Sequence, residues 1–138
     1  MRHILSIPLL ALVIAAYNAF NLGGGMLDTD SLVFSWVMPS ATEVFFKAGD
    51  MFVIAGLVAL FFEILKAARA GAGTITDHIL STATLIVALI EFLLLPFCGT
   101  VTFFILLAMT LIDVIGGFSV SLLAMRRDMT ITRDGGLS

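Results

Sequence analysis

The sequence predicts an all-α membrane protein: a four-transmembrane-helix bundle with a short outer-side β-hairpin between helices 1 and 2. Three observations predict it. Hydrophobic residues make up 60% of the chain and charged residues 12%, with a mean hydropathy of +1.14. A soluble domain of this size carries about twice that share of charge. The apolar residues fall in four long blocks, 4–22, 51–70, 79–95 and 101–125. Each reaches or approaches the ~20 residues that cross a ~30 Å hydrocarbon layer. Between the first two blocks lies a stretch of β-branched and aromatic residues broken by a turn signal. The whole chain, 1–138, reads as one polytopic domain.

Arg2 followed by an apolar run resembles a signal peptide, but no clean small-x-small cleavage site follows it, so the first block is expected to be a span. Gly23, Gly24 and Gly25 end that helix, because glycine tolerates the left-handed conformation of helix exits. Next come "SLVFSWVM" and "TEVFFK", separated by Pro39 and Ser40. They predict a hairpin over about 31–47. Phe34, Trp36 and Met38 would share one face, with Val44 and Phe46 packed against them. The hairpin is either a docking surface for a partner or neighbouring copy, or a lid over the bundle end that touches lipid. Trp36 suits the headgroup layer, and an unpaired edge could accept a strand.

Orientation follows from lysine and arginine. Arg2 precedes the first block, Lys66 and Arg69 end the second, and Arg126, Arg127 and Arg133 follow the fourth. Only Lys47 lies in the first loop, among Asp28, Asp30, Glu43 and Asp50. Both termini are expected in the cytoplasm, with a polar tail at 126–138. Arg69, Arg126 and Arg127 are placed at lipid headgroups.

Each block carries small and polar residues on one helical face: Ala11, Ala15 and Asn18; Gly56, Ala59, Glu63, Ala67 and Ala70; Ser81, Thr84, Ala88 and Glu91; Thr110, Asp113, Gly117 and Ser121. Such stripes let membrane helices pack closely and hydrogen-bond one another. Glu91 in "LIVALIEFLLLP" is counted from Ile79 and Asp113 from Met125. At ~1.5 Å per residue both fall ~18 Å from the inner boundary, and Asn18 could reach the same layer. An intramembrane polar cluster of Glu91, Asp113, Asn18, Thr84 and Thr110 is therefore expected, with at least one acid protonated. It reads as a proton or cation site, a structural polar clamp, or a contact with another subunit.

Glu63 lies one turn before Lys66 and is expected to pair with it at the inner side. Thr74 and Asp77 fit a capping box at the start of the third span, and His78 beside them reads as an interfacial residue of little consequence. Gly116 and Gly117 invite close helix contact or a kink. Cys98, the single cysteine, excludes an internal disulfide and reads as a small apolar filler. No phosphate loop, dinucleotide fingerprint, metal-ligand cluster or matched triad is evident, so no cofactor, metal or nucleic acid is expected.

The strings "FFEILKAARAG", "TDHILS", "LIEFLLLP" and "LIDVIGGFSVSLLAMRRD", with the glycine-rich exit from the first span and the turn "MPSA", resemble a family of small, uncharacterised four-span inner-membrane proteins of alphaproteobacteria. The resemblance implies an inner-membrane location, includes Glu63, Glu91 and Asp113 in the matching strings, and brings no activity with it. The expected role is non-enzymatic: an accessory, scaffold or assembly subunit, among membrane lipids, acting as a homo-oligomer or within a larger membrane complex. The alternative is an oligomeric proton or cation pathway using Glu91 and Asp113. A lipid- or quinone-binding protein comes third and needs an apolar cavity opening between helices.

Overall fold

The computed structural model describes residues 7–23, 28–69 and 75–134. Expectations for Arg2, Gly24, Gly25, Ala70 and Thr74 lie outside the described residues. Four helices alternate in direction: α1 Leu9–Leu22, α2 Ala48–Arg69, α3 Ile75–Leu94 and α4 Val101–Asp134. The strands β1 Leu32–Val37 and β2 Glu43–Lys47 lie between α1 and α2, and a 3₁₀ turn, Pro96–Cys98, joins α3 to α4. Three helices, α2, α3 and α4, are long and apolar enough to cross a membrane. The described α1 has 14 residues, about 21 Å, which is short of a full hydrocarbon layer. The last helix runs well beyond Met125, through Asp134, so much of the expected tail is helical.

The hairpin forms where the sequence places it. Its register sets Phe34 opposite Phe46 and Trp36 opposite Val44, so these four side chains share a face, as the alternation predicts. The Phe34 and Phe46 rings stack at 4.5 Å. Met38 lies just past β1, where its N–H donates to Thr42 O and its carbonyl accepts from Ala41 N–H. Ala41 takes a left-handed φ of 60° to close this turn. A direct junction ties the hairpin to α2. Ala48 N–H donates to Ser31 O and Gly49 N–H to Thr29 O, while Asp50 accepts from Lys47 N–H at 2.9 Å. Two N–H groups at the start of α2 thus find partners outside the helix, and Asp50 in its first turn reaches back to the N–H of the residue before it.

The long α4 is central, packing on α2 and α3, while α1 lies mainly on α2 and touches α3 little. Small residues allow the α2–α4 contact. A Cβ at Gly56 would fall 2.7 Å from Leu106 Cδ2 and 2.8 Å from Met109 Sδ, so any larger residue there must displace these side chains. The stripes expected on α2 and α4 are buried: Gly56, Ala59 and Glu63 on one, Thr110, Asp113, Gly117 and Ser121 on the other. On α3 only Ala88 is fully buried.

The first helix departs from expectation. It turns Leu10, Ile14 and Tyr17 into the bundle, and its small stripe faces sideways toward α3. Tyr17 accounts for the choice. Its ring meets Phe52 at 5.3 Å and Phe103 at 5.2 Å, and its hydroxyl donates to Phe97 O and lies 2.7 Å from Thr100 Oγ1. One residue thereby ties α1 to α2, α4 and the turn between α3 and α4. An alanine face has nothing equivalent to offer.

Candidate functional site

Two polar layers and one exposed hairpin hold the residues capable of chemistry or recognition. The deeper layer centres on Glu63, buried on α2. Its carboxyl faces Asp113 of α4 and the N–H groups of Leu9 and Leu10, which open α1. First-turn N–H groups have no partner within their own helix, and the helix dipole is positive there. The position therefore suits a carboxyl group. Glu63 Oε2 remains buried without a hydrogen bond. What this arrangement does is seat the start of α1 against α2 and α4.

Two expected pairings are corrected here. Asp113 faces Glu63, whereas the sequence count paired it with Glu91. The count took Met125 as the end of the fourth span, but α4 continues past it. Measured from the hairpin end of each helix, Asp113 is ~18 Å deep, Glu63 ~22 Å and Glu91 only ~5 Å. Glu63 also does not serve Lys66. Lys66 reaches Asp77 in the first turn of α3 at 3.7 Å, because Glu63 points inward beneath α1 while Lys66 is half exposed beside the α2–α3 connection. This surface pair is worth little.

The shallower layer lies at the hairpin end. Cys98 is buried in the 3₁₀ turn, and its thiol approaches Asn18 Oδ1 at 3.5 Å. Burial pushes that thiol up to about 11, with the charge of Glu91 adding to the effect. Glu91 and Asn18 line a groove between α1 and α3, and Glu91 Oε2 is buried without a hydrogen bond. The threonines assigned to the cluster do not bridge helices. Thr84 donates to Leu80 O and Thr110 to Leu107 O, each within its own helix. The expected cluster of Glu91, Asp113, Asn18, Thr84 and Thr110 thus divides: Asn18, Thr84 and Glu91 line one groove with Cys98 close by, while Asp113 faces Glu63.

His78, set aside on sequence grounds, is within 3.0 Å of Ser121 Oγ. Gly117 lies against its ring: a Cβ there would meet His78 Cε1 at 3.6 Å, an ordinary van der Waals distance. The pair holds α3 to α4 at the end away from the hairpin, whereas Gly116 meets no neighbour within 4 Å. Sequence reasoning also passed over Tyr17. The available signal was a lone tyrosine one residue from Asn18 inside an apolar block. Buried tyrosines in such settings find partners for the hydroxyl.

The hairpin is the most exposed part of the fold. Every residue of β1 is exposed, Trp36 at 64%, while Phe46, stacked on Phe34, is half-buried. Lys47 pairs with Asp30 at 3.0 Å on its outer side. Arg69, Arg126 and Arg127 are exposed at the opposite end of the bundle. Among the described residues, no group of three or more histidine, cysteine, aspartate or glutamate side chains is placed to hold a metal ion. No protein-family model, curated protein or solved structure matches the sequence.

Proposed function

We propose that the chain is a non-enzymatic integral protein of a bacterial inner membrane, an accessory or assembly subunit that works through its hairpin and helix faces. In this reading α1 completes a fourth crossing and both termini face the cytoplasm, as the lysine and arginine positions favour. The supporting observation is the hairpin. A two-stranded sheet is marginal on its own, yet this one displays Leu32, Val33, Phe34, Trp36 and Val37 in the open while firmly anchored to α2. Apolar residues on both faces of one strand, plus two unpaired edges, suit a partner subunit or second copy that adds a strand or covers the sheet.

The alternative, an oligomeric proton or cation pathway through Glu91 and Asp113, draws less support. The two carboxyls lie at different depths and face different neighbours.

Trp36 is the only tryptophan, which makes the test direct. In vesicles containing brominated lipid, a hairpin docked on protein keeps Trp36 fluorescence largely unquenched. Trp36→Ser then reduces the size of the complex recovered in native lipid. Strong quenching of Trp36 together with an unchanged assembly size in Trp36→Ser would mean that the hairpin rests on lipid, and the accessory reading would fail.

A further inference from the structure

The sideways turn of α1 leaves a groove of about 370 Å³ between it and α3. Ala11 and Ala15 form one wall and Ala83 and Val87 the other, with Asn18 and Glu91 at the hairpin end. From Leu80 to Glu91 the groove runs roughly 16 Å along the helices. It is apolar for most of that length: Thr84, midway, spends its hydroxyl proton on Leu80 O of its own helix, and the carboxyl and amide groups lie at one end only. We propose that it is a lipid site, holding one acyl chain of a bilayer phospholipid whose amine headgroup donates to Glu91.

Size selects the chain. A helix about 10 Å across would need roughly 1,200 Å³ to run that length, about three times what is there. The groove volume falls at the lower end of the ~300–1,000 Å³ typical of small-molecule sites. Depth agrees with a headgroup. Glu91 is less than one turn from the end of α3 at Leu94, close to where the hydrocarbon layer gives way to the polar interface.

Charge selects the head. Glu91 Oε2 is buried and unpartnered, and an acceptor left so is costly. The described protein cations are engaged elsewhere or distant. Lys47 holds Asp30, Lys66 holds Asp77, and Arg69, Arg126 and Arg127 stand at the opposite end. An ammonium N–H supplies both the missing donor and the missing charge. A choline headgroup brings the charge but has no N–H to donate. This inference does not depend on what the hairpin contacts.

The full chain is reconstituted in vesicles of equimolar phosphatidylethanolamine and phosphatidylcholine, released in mild detergent, and weighed by native mass spectrometry. The expected result is one retained lipid per chain, with the ethanolamine form favoured about tenfold, the value of one charge-assisted hydrogen bond at the low end of its range. Glu91→Gln keeps the side-chain shape and is expected to abolish the headgroup preference while the lipid stays bound. Ala83→Phe fills the groove and is expected to lose both lipids. Retention in Ala83→Phe equal to that of the unaltered chain would overturn the site. So would an absence of retained lipid, or a dimer that Ala83→Phe dissociates, which would make the occupant a second copy. An unchanged headgroup preference in Glu91→Gln would remove Glu91 from the site.

Discussion

Tyr17→Phe removes one oxygen atom and leaves the ring in place, which makes it the sharpest probe of how α1 is held. The Tyr17 hydroxyl donates to Phe97 O at 3.2 Å. Its single proton is then committed, so the 2.7 Å contact with Thr100 Oγ1 is a hydrogen bond donated by the threonine. Thr100 Oγ1 in turn accepts from Phe103 N–H at 3.1 Å. The phenylalanine variant therefore breaks two bonds and leaves Phe97 O and the Thr100 proton unsatisfied in a place where Tyr17 is 0% exposed. Soluble proteins lose about 1 kcal/mol per bond of this kind, and membrane bundles average ~0.6 kcal/mol. The expected destabilisation is about 1–2 kcal/mol, read as a shift in reversible unfolding when denaturing detergent is titrated into mixed micelles. Tyr17→Ala also removes the ring from Phe52 and Phe103 and should cost about 3–5 kcal/mol. In a cycle with Thr100→Val, the coupling between the two hydroxyls should be about 0.5–1 kcal/mol. A Tyr17→Phe variant as stable as the parent, with no coupling to Thr100, would refute the idea that this hydroxyl chooses the face α1 presents.

Three further outcomes follow from the geometry. Gly56→Leu forces a side chain into Leu106 and Met109 and should destabilise the α2–α4 contact by about 1–3 kcal/mol in the same titration; Gly116→Ala, facing open space, should be near neutral. Ala41→Gly relieves a left-handed φ of 60° and should stabilise the hairpin turn by about 1 kcal/mol, seen as a later thermal change in Trp36 emission. Cys98, pushed from 9.0 up to about 11 by burial, should alkylate at pH 8 about a hundredfold more slowly than an ordinary thiol. Its rate should climb about tenfold per pH unit and level off above pH 11, since only the thiolate reacts; fast labelling at pH 8 would contradict this placement.

The chain's membrane character, the hairpin and the inward faces of α2 and α4 were all legible in the sequence by itself. Block length and charge scarcity report on solvent, and period-2 alternation places Phe34, Trp36, Val44 and Phe46 on one side whatever the hairpin touches. The buried stripes of α2 and α4 were readable because a carboxyl group or a glycine within an apolar helix has few places to go other than against another helix. What only the tertiary structure decided was which polar group met which, and which face α1 turned inward. Lipid-facing and protein-facing positions are both apolar, so composition cannot tell Leu10, Ile14 and Tyr17 from a lipid-exposed row. Depth was miscounted for a related reason: an apolar block's edge in sequence is not where its helix stops. Three residues of remaining helix put Glu91 near the hairpin, while a helix that continues past Met125 leaves Asp113 well below it and level with Glu63. Partner choice in a bundle is a matter of a few ångströms along and around each helix, and that offset is set by packing contacts distant in sequence, such as Tyr17 on Thr100.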